Sequence, residues 1–189
     1  MTPCTMVPRW LFSRPSLVAD MALLHRHVSV QSEDFVLQAE LDALSQGDLD
    51  LGAVTSFVGR VRQWGQGSQG LELEHYPGMT ERSIQAMIDE AARRFELRGV
   101  RIIHRVGRLA LGEQIVLVAV SSSHRRAAFQ GCEFLMDWLK TQAPFWKKEV
   151  TASGGQWVDA RVQDDEALAR WGQVPGAQSN GMASSGAAS

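Results

Sequence analysis

Only three side chains in this protein carry a primary amine, and all three fall in one short window: Lys140, Lys147 and Lys148. The other 16 of the 19 basic residues are arginines. A lysine can lose or share its proton when partly buried, whereas an arginine effectively cannot. Lysine kept in one place, in a chain that otherwise uses arginine, points to an amine acting as general acid, base or nucleophile. The plainer alternative is a solvated basic face near a helix end, complementing the negative end of the helix dipole. That alternative is preferred for Lys148 and stays open for Lys140 and Lys147.

A second basic element is the run SSSHRR, Ser121 to Arg126. It falls where a helix is expected to start, and free backbone N–H groups there already favour an anion. His124, Arg125 and Arg126 are locally unfavourable at that end unless a phosphate or carboxylate is bound; an exposed basic turn is the alternative. Arg60 and Arg62 form a third element at the mouth of a glycine-rich loop around Trp64. Gly65, Gly67 and Gly70 match neither a P-loop nor a dinucleotide fingerprint, because no strand-to-helix context surrounds them. His75 and His104 lie in strand-like segments without a second ligand at metal spacing, so each reads as a core or surface histidine and no metal is expected.

The elements that position these residues follow from periodicity. Residues 26 to 31 alternate as a short strand, and a helix is expected from Glu33 to Leu44. Leu51 to Val61 is β-rich, with Val54, Ser56, Val58, Arg60 and Arg62 on one side by period two. A strand from Leu71 to Tyr76 is expected to pair with it as a hairpin. Thr80 is placed to cap a helix whose Ile84, Met87, Ile88, Ala91 and Phe95 form a stripe, with Gly99 closing it. Val100 to Val106 and Gln114 to Val120 read as strands, with Gly107 and Gly112 flanking a turn. Ser122 or Ser123 is expected to cap a long helix to Lys140, with Ala128, Cys132, Leu135 and Leu139 on its apolar side. Pro144 ends it. Phe145 to Thr151 and Gln156 to Val158 read as a closing hairpin, and Asp164 to Trp171 as a terminal helix. On the first arm of that hairpin Phe145 and Lys147 face one way, Trp146 and Lys148 the other. Without a strict βαβ rhythm, the class is α+β with largely antiparallel pairing.

Between His124 and Lys140 a single helix spans about 24 Å. One small phosphate cannot touch both ends, so the site needs either two subsites or a second copy of the chain; a homodimer is the preferred reading.

With 189 residues, 44% hydrophobic and 21% charged, the chain can build one domain with a real core. The organisation expected is an N-terminal extension over residues 1–24, a domain over 25–172, and a flexible Gly/Ser/Ala tail over 173–189. A net charge of −2 argues against a protein that coats nucleic acid, so any anion site is local. Two cysteines, Cys4 and Cys132, are too few for a disulfide framework and fit a reducing compartment. No apolar run reaches the roughly 20 residues of a membrane span, and no signal peptide is read. The expected location is the cytoplasm.

Several blocks together resemble the large, catalytic subunit of molybdopterin synthase: FVGRVR (Phe57 to Arg62), LEHYPGMTE (Leu73 to Glu81), SSSHRR, LKTQAPFWKKE (Leu139 to Glu149) and WVDAR (Trp157 to Arg161). The resemblance runs from about residue 28 to Trp171 in consistent order. It implies an α/β hammerhead fold with an additional antiparallel β subdomain, and a homodimer within a heterotetramer. It implies also a small ubiquitin-like partner whose C-terminal Gly-Gly thiocarboxylate delivers sulfur. The implied reaction converts cyclic pyranopterin monophosphate into the dithiolene of molybdopterin, with no cofactor. Carried over position by position, the substrate site is Arg60, Val61, Arg62, His124, Arg125, Lys140, Lys147, Lys148, Glu149 and, across the dimer, Arg161. Lys140 and Lys147 are the catalytic candidates. The family often has Lys where this chain has Arg60, which assigns position 60 to binding instead of proton transfer. Two competing readings are a non-catalytic module that binds a ubiquitin-like tail and, less well supported by the acidic pI, an RNA-binding domain using Arg60, Arg62 and Trp64.

Overall fold

The most β-branched stretch of the chain, residues 97–122, forms the centre of the fold. In the computed structural model, which describes residues 25–152, 154–158 and 170–172, β4 (Leu97–Arg105) and β6 (Gln114–Ser122) pair antiparallel in the middle of a four-stranded sheet. β1 (His25–Gln31) adds parallel to β4, and β2 (Ala53–Arg60) antiparallel to β6, giving the order β1-β4-β6-β2. Because strand side chains alternate, the two faces of this sheet serve two helical layers. Val100, Ile102, Val116, Val118 and Val120 pack with α2 (Met79–Phe95) and α3 (Arg125–Thr141). Ile103, Leu117 and Ala119 meet Phe35 and Leu44 on the side of α1 (Leu37–Ser45).

Both long helices bury the stripes that periodicity marks: Ile84, Met87, Ile88 and Ala91 on α2, and Ala128, Cys132, Leu135 and Leu139 on α3. Full burial of a side chain such as Ile84 or Ile88 contributes roughly 1.5–3 kcal/mol. A second sheet, entirely antiparallel, has the order β5-β3-β7-β8, with β3 Ser68–His75, β5 Gly107–Ala110, β7 Phe145–Thr151 and β8 Gly154–Val158. Its small core is Val61, Leu71, Leu73 and Leu109. Five of the six strand pairings are antiparallel, so the α+β class with an added antiparallel β subdomain stands. The hairpin of β7 and β8 also forms as expected.

Other expectations are corrected. β2 and β3 are not a hairpin: β2 lies against β6, β3 lies between β5 and β7, and residues 61–67 carry the chain from one sheet to the other. Period-two patterning marks strands but not their partners. The first helix starts at Leu37, not Glu33, because the Asp34 carboxylate accepts the Phe35 N–H at 2.9 Å and holds the entry non-helical. Thr80 is not the cap of α2. That position is Gly78, at φ 77°, whose N–H donates to Glu81 at 2.6 Å. Thr80 instead accepts the Tyr76 N–H at 3.2 Å and donates to the Pro144 carbonyl at 3.4 Å.

Gly99 does not end α2; Glu96 does, in the left-handed region at φ 52°. Gly99 lies within β4, where a Cβ would come within 2.8 Å of both Leu44 Cδ1 and Ser121 Oγ. The stretch between Gly107 and Gly112 is not wholly a turn, since Gly107–Ala110 is β5. No serine caps α3; His124 occupies that place, and its N–H donates to Ser122 Oγ at 3.3 Å. The expected terminal helix falls mostly outside the described residues, as do residues 1–24 and 173–189. Arg170 and Trp171 form a turn, with the Trp171 ring edge-on to Phe134 at 5.5 Å. No helix among the described residues is long and apolar enough to cross a membrane.

Candidate active site

Alternation along β7 sorts its residues into two environments. Phe145, Lys147 and Glu149 line a pocket of about 730 Å³. Trp146 and Lys148 lie on the opposite face: Trp146 leans on the Tyr76 ring at 6.2 Å, and Lys148 Nζ sits 3.4 Å from the Glu72 carboxylate and 5.6 Å from the centre of the Trp157 ring. The last turn of α3 contributes Lys140 to the same pocket, and the end of β2 contributes Arg60, whose guanidinium donates to the Gly112 carbonyl at 3.2 Å. A shift of register between Gly59 and Arg60 ends the regular pairing of β2 there. Arg62 follows just beyond the strand and lines the same pocket, as does Trp64. Among the described lining residues, Arg60, Arg62, Lys140 and Lys147 set four cations against the single carboxylate of Glu149. Leu71, Leu73, Ile115 and Val116 supply apolar wall. This balance suits a polyanionic ligand with a flat or apolar portion.

Of the other residues implied by resemblance, His124 and Arg125 are exposed at the start of α3, at the far end of the helix from Lys140, and do not line the pocket. Val61 turns its side chain into the core of the second sheet, 2% exposed, its N–H donates to the Glu113 carbonyl and its carbonyl accepts from the Gly112 N–H, and it does not line the pocket. Arg161 lies outside the described residues. Among those described, no group of three His, Cys, Asp or Glu could hold a metal ion. Cys132, on α3, is buried against β6, and burial pushes its thiol up to about 11, which removes it as a nucleophile at neutral pH.

Among the lining residues that were not anticipated is a buried histidine. His104, near the end of β4, stacks on Phe145 with ring centres 3.8 Å apart and planes at 16°. Its Nδ1–H donates to the Arg105 carbonyl at 2.9 Å, a direction set by the carbonyl, which can only accept. Burial, aided by the nearby His75, lowers its pKa to about 4 despite that hydrogen bond. The ring is therefore neutral at physiological pH. The available signal was its period-two position with Val100 and Ile102, the apolar face of β4; nothing in the sequence says that this face meets Phe145.

Comparison with known proteins places the chain in a family. Residues 30–142 match the family described as MoaE protein. The molybdopterin synthase catalytic subunit of Ralstonia nicotianae is 56% identical over 149 residues, covering 78% of this chain and 85% of that protein. Among solved structures, the molybdopterin biosynthesis MoaE protein from Burkholderia ambifaria superposes with a TM-score of 0.69 at 51% identity, over 79% of this chain and 99% of that one. The crystal structure of molybdopterin synthase from Staphylococcus aureus gives 0.64 at 30% identity, over 69% and 96%. Of the cations that line the pocket, Arg60, Arg62 and Lys140 lie within the matched residues 30–142 and Lys147 just beyond them, and the chain belongs to the MoaE family of molybdopterin synthase catalytic subunits.

Proposed function

We propose that this pocket is the sulfur-transfer site of the catalytic subunit of a molybdopterin synthase, acting in the cytoplasm, with residues 25–172 as the catalytic domain. The observation that carries the reading is the convergence of Lys140 and Lys147, from different elements, with Arg60 and Arg62 in one pocket. The sulfur donor is a small ubiquitin-like subunit ending in a Gly-Gly thiocarboxylate, and the acceptor is cyclic pyranopterin monophosphate. In each of two transfers a C–S bond forms at a carbon of the pterin side chain as a C–O bond at that carbon breaks; the partner's acyl C–S bond breaks in turn, and the acyl carbon takes up oxygen, the displaced one or that of water, and leaves as carboxylate. No net oxidation or reduction of the pair is involved.

Such a reaction needs charge stabilisation for a phosphate and a developing oxyanion, and proton delivery to departing oxygen. Arg60 and Arg62 hold the phosphate end by charge-assisted hydrogen bonds. Lys140, exposed at the pocket rim, is accessible to an entering tail and serves proton transfer at the acyl carbon. Lys147, half-buried on β7, assists from that strand, and Glu149 orients substrate or amine beside it. His124, Arg125 and Arg161 belong to the site through a second copy of the chain, since one helix separates the first two from Lys140. Lys148, on the other face of β7, touches no substrate.

Purified protein incubated with thiocarboxylated partner and cyclic pyranopterin monophosphate should form the dithiolene product, read by its oxidised fluorescent derivative. Absence of product with both substrates bound would sink the reading.

A further inference from the structure

The unanticipated histidine links the two sheets at the point where the amine wall of the pocket begins. His104 belongs to the central strand pair of the first sheet, opposite Val30 on one side and Val116 on the other. Phe145 opens β7 in the second sheet, and its neighbour across the ladder is His75. The two rings stack face to face at 3.8 Å, and His75 adds a tilted contact to Phe145 at 6.4 Å. Two residues along the same face of β7 stands Lys147.

The histidine is itself held. Its Nδ1–H is bound to the Arg105 carbonyl, and the Arg105 side chain is buried and donates to the carbonyls of Ser32 at 3.1 Å and Gln114 at 2.9 Å. A continuous chain of contacts thus runs from the first sheet, through His104 and Phe145, to the strand that carries Lys147. The start of β7 has a second anchor, the hydrogen bond from Thr80 to the Pro144 carbonyl. Resting on the function proposed above, we propose that His104 is a positioning residue for sulfur transfer: its ring, stacked on Phe145, sets the place of Lys147 in the pocket that it shares with Lys140. A neutral ring suits this place, since a second cation beside Lys147 would oppose the charge of the lysine.

The chemistry is sensitive to such placement, because a displacement of about 1 Å can cost about a hundredfold in rate. The test compares His104→Ala, which removes the ring, with His104→Phe, which keeps a flat ring and loses only the N–H. Two quantities are read on the full-length protein with its thiocarboxylated partner. One is the single-turnover rate of dithiolene formation at saturating and at low precursor; the other is the rate of acetylation of each lysine by mass spectrometry. Lys148, on the opposite face of the same strand, is the internal control. The inference expects His104→Ala to lose at least about tenfold in rate at saturation with little change in half-saturating precursor. Acetylation of Lys147 should change while that of Lys148 does not, and His104→Phe should restore both readouts.

A wild-type rate in His104→Ala with unaltered Lys147 labelling overturns it. So does an equal change at Lys147 and Lys148, which would mean that the whole strand had loosened, or a His104→Phe variant as impaired as His104→Ala. Should His104→Ala fail to fold, His104→Leu fills the space without a flat ring and is read in the same way. Failure of the functional reading would look different, because the wild-type protein itself would then form no dithiolene.

Discussion

Lys147 and Lys148 are neighbours in the chain and lie on opposite faces of β7, so their replacement separates chemistry from charge. Lys147→Ala removes an amine from the pocket and should slow dithiolene formation by at least about tenfold. Lys148→Ala breaks a partly exposed contact with Glu72, a kind of pair worth about 0–1 kcal/mol, and should leave the rate within about threefold of wild type. Equal losses for the two variants, in the same single-turnover assay, would contradict this assignment. That two lysines of the pair divide in this way was legible from strand alternation alone. The candidacy of Lys140, which lines the pocket, was raised by the rarity of lysine in an arginine-rich chain. His104 was not, because a histidine within an apolar strand looks the same whether its ring faces a core or the wall of a pocket.

Among elements, helices proved more readable than strand partners. The stripes on α2 and α3 specify which face is buried, and the structure buries those faces. No comparable signal tells β2 that its partner is β6, some 60 residues away, and not the nearer β3. Capping was misplaced for a related reason: Gly78, with no side chain to advertise it, takes the position that Thr80 was expected to hold. The real work of Thr80 is tertiary, and it is fully buried between the Tyr76 N–H and the Pro144 carbonyl. Thr80→Val keeps the shape and leaves both backbone groups short of a partner. It should lower stability by about 1–3 kcal/mol, seen as a fall in Tm. An unchanged Tm would show that these bonds contribute nothing to the joint between α2 and β7.

At the scale of the whole molecule, stability should depend on pH through the buried histidine. The folded-state pKa of His104, about 4, lies below its ordinary value of 6.5, so the unfolded chain takes up the proton first as pH falls. Above 6.5 both states are neutral and the group contributes nothing. Between 6.5 and about 4 it disfavours the folded state progressively, by roughly 3 kcal/mol at the lower end. His27, lowered mainly by partial burial, acts in the same direction. Asp48, held below the usual carboxylate range chiefly by its hydrogen bonds from Arg98, stabilises the fold at higher pH and loses that contribution only as pH falls through the acid range. Urea titrations from pH 7 to 4.5 should therefore show a shallower decline for His104→Phe than for wild type, and parallel curves would refute the assignment.

Assembly is the other property of the whole molecule. If His124 and Arg125 act on the pocket of a second copy, mixing inactive Lys140→Ala and Arg125→Ala chains should restore activity. Random exchange into dimers would recover about a quarter of the wild-type rate, whereas no recovery on exchange would place both groups in one chain's site or neither.

The most direct test of the account concerns Lys140. Arginine would keep its charge and bind phosphate as well, but would not exchange a proton near neutral pH. Single-turnover dithiolene formation should be lost in Lys140→Ala and remain poor in Lys140→Arg, while both variants bind the thiocarboxylated partner as tightly as wild type does. A Lys140→Arg protein that turns over at the wild-type rate would contradict a chemical role for the amine and reduce the lysine to a binding charge.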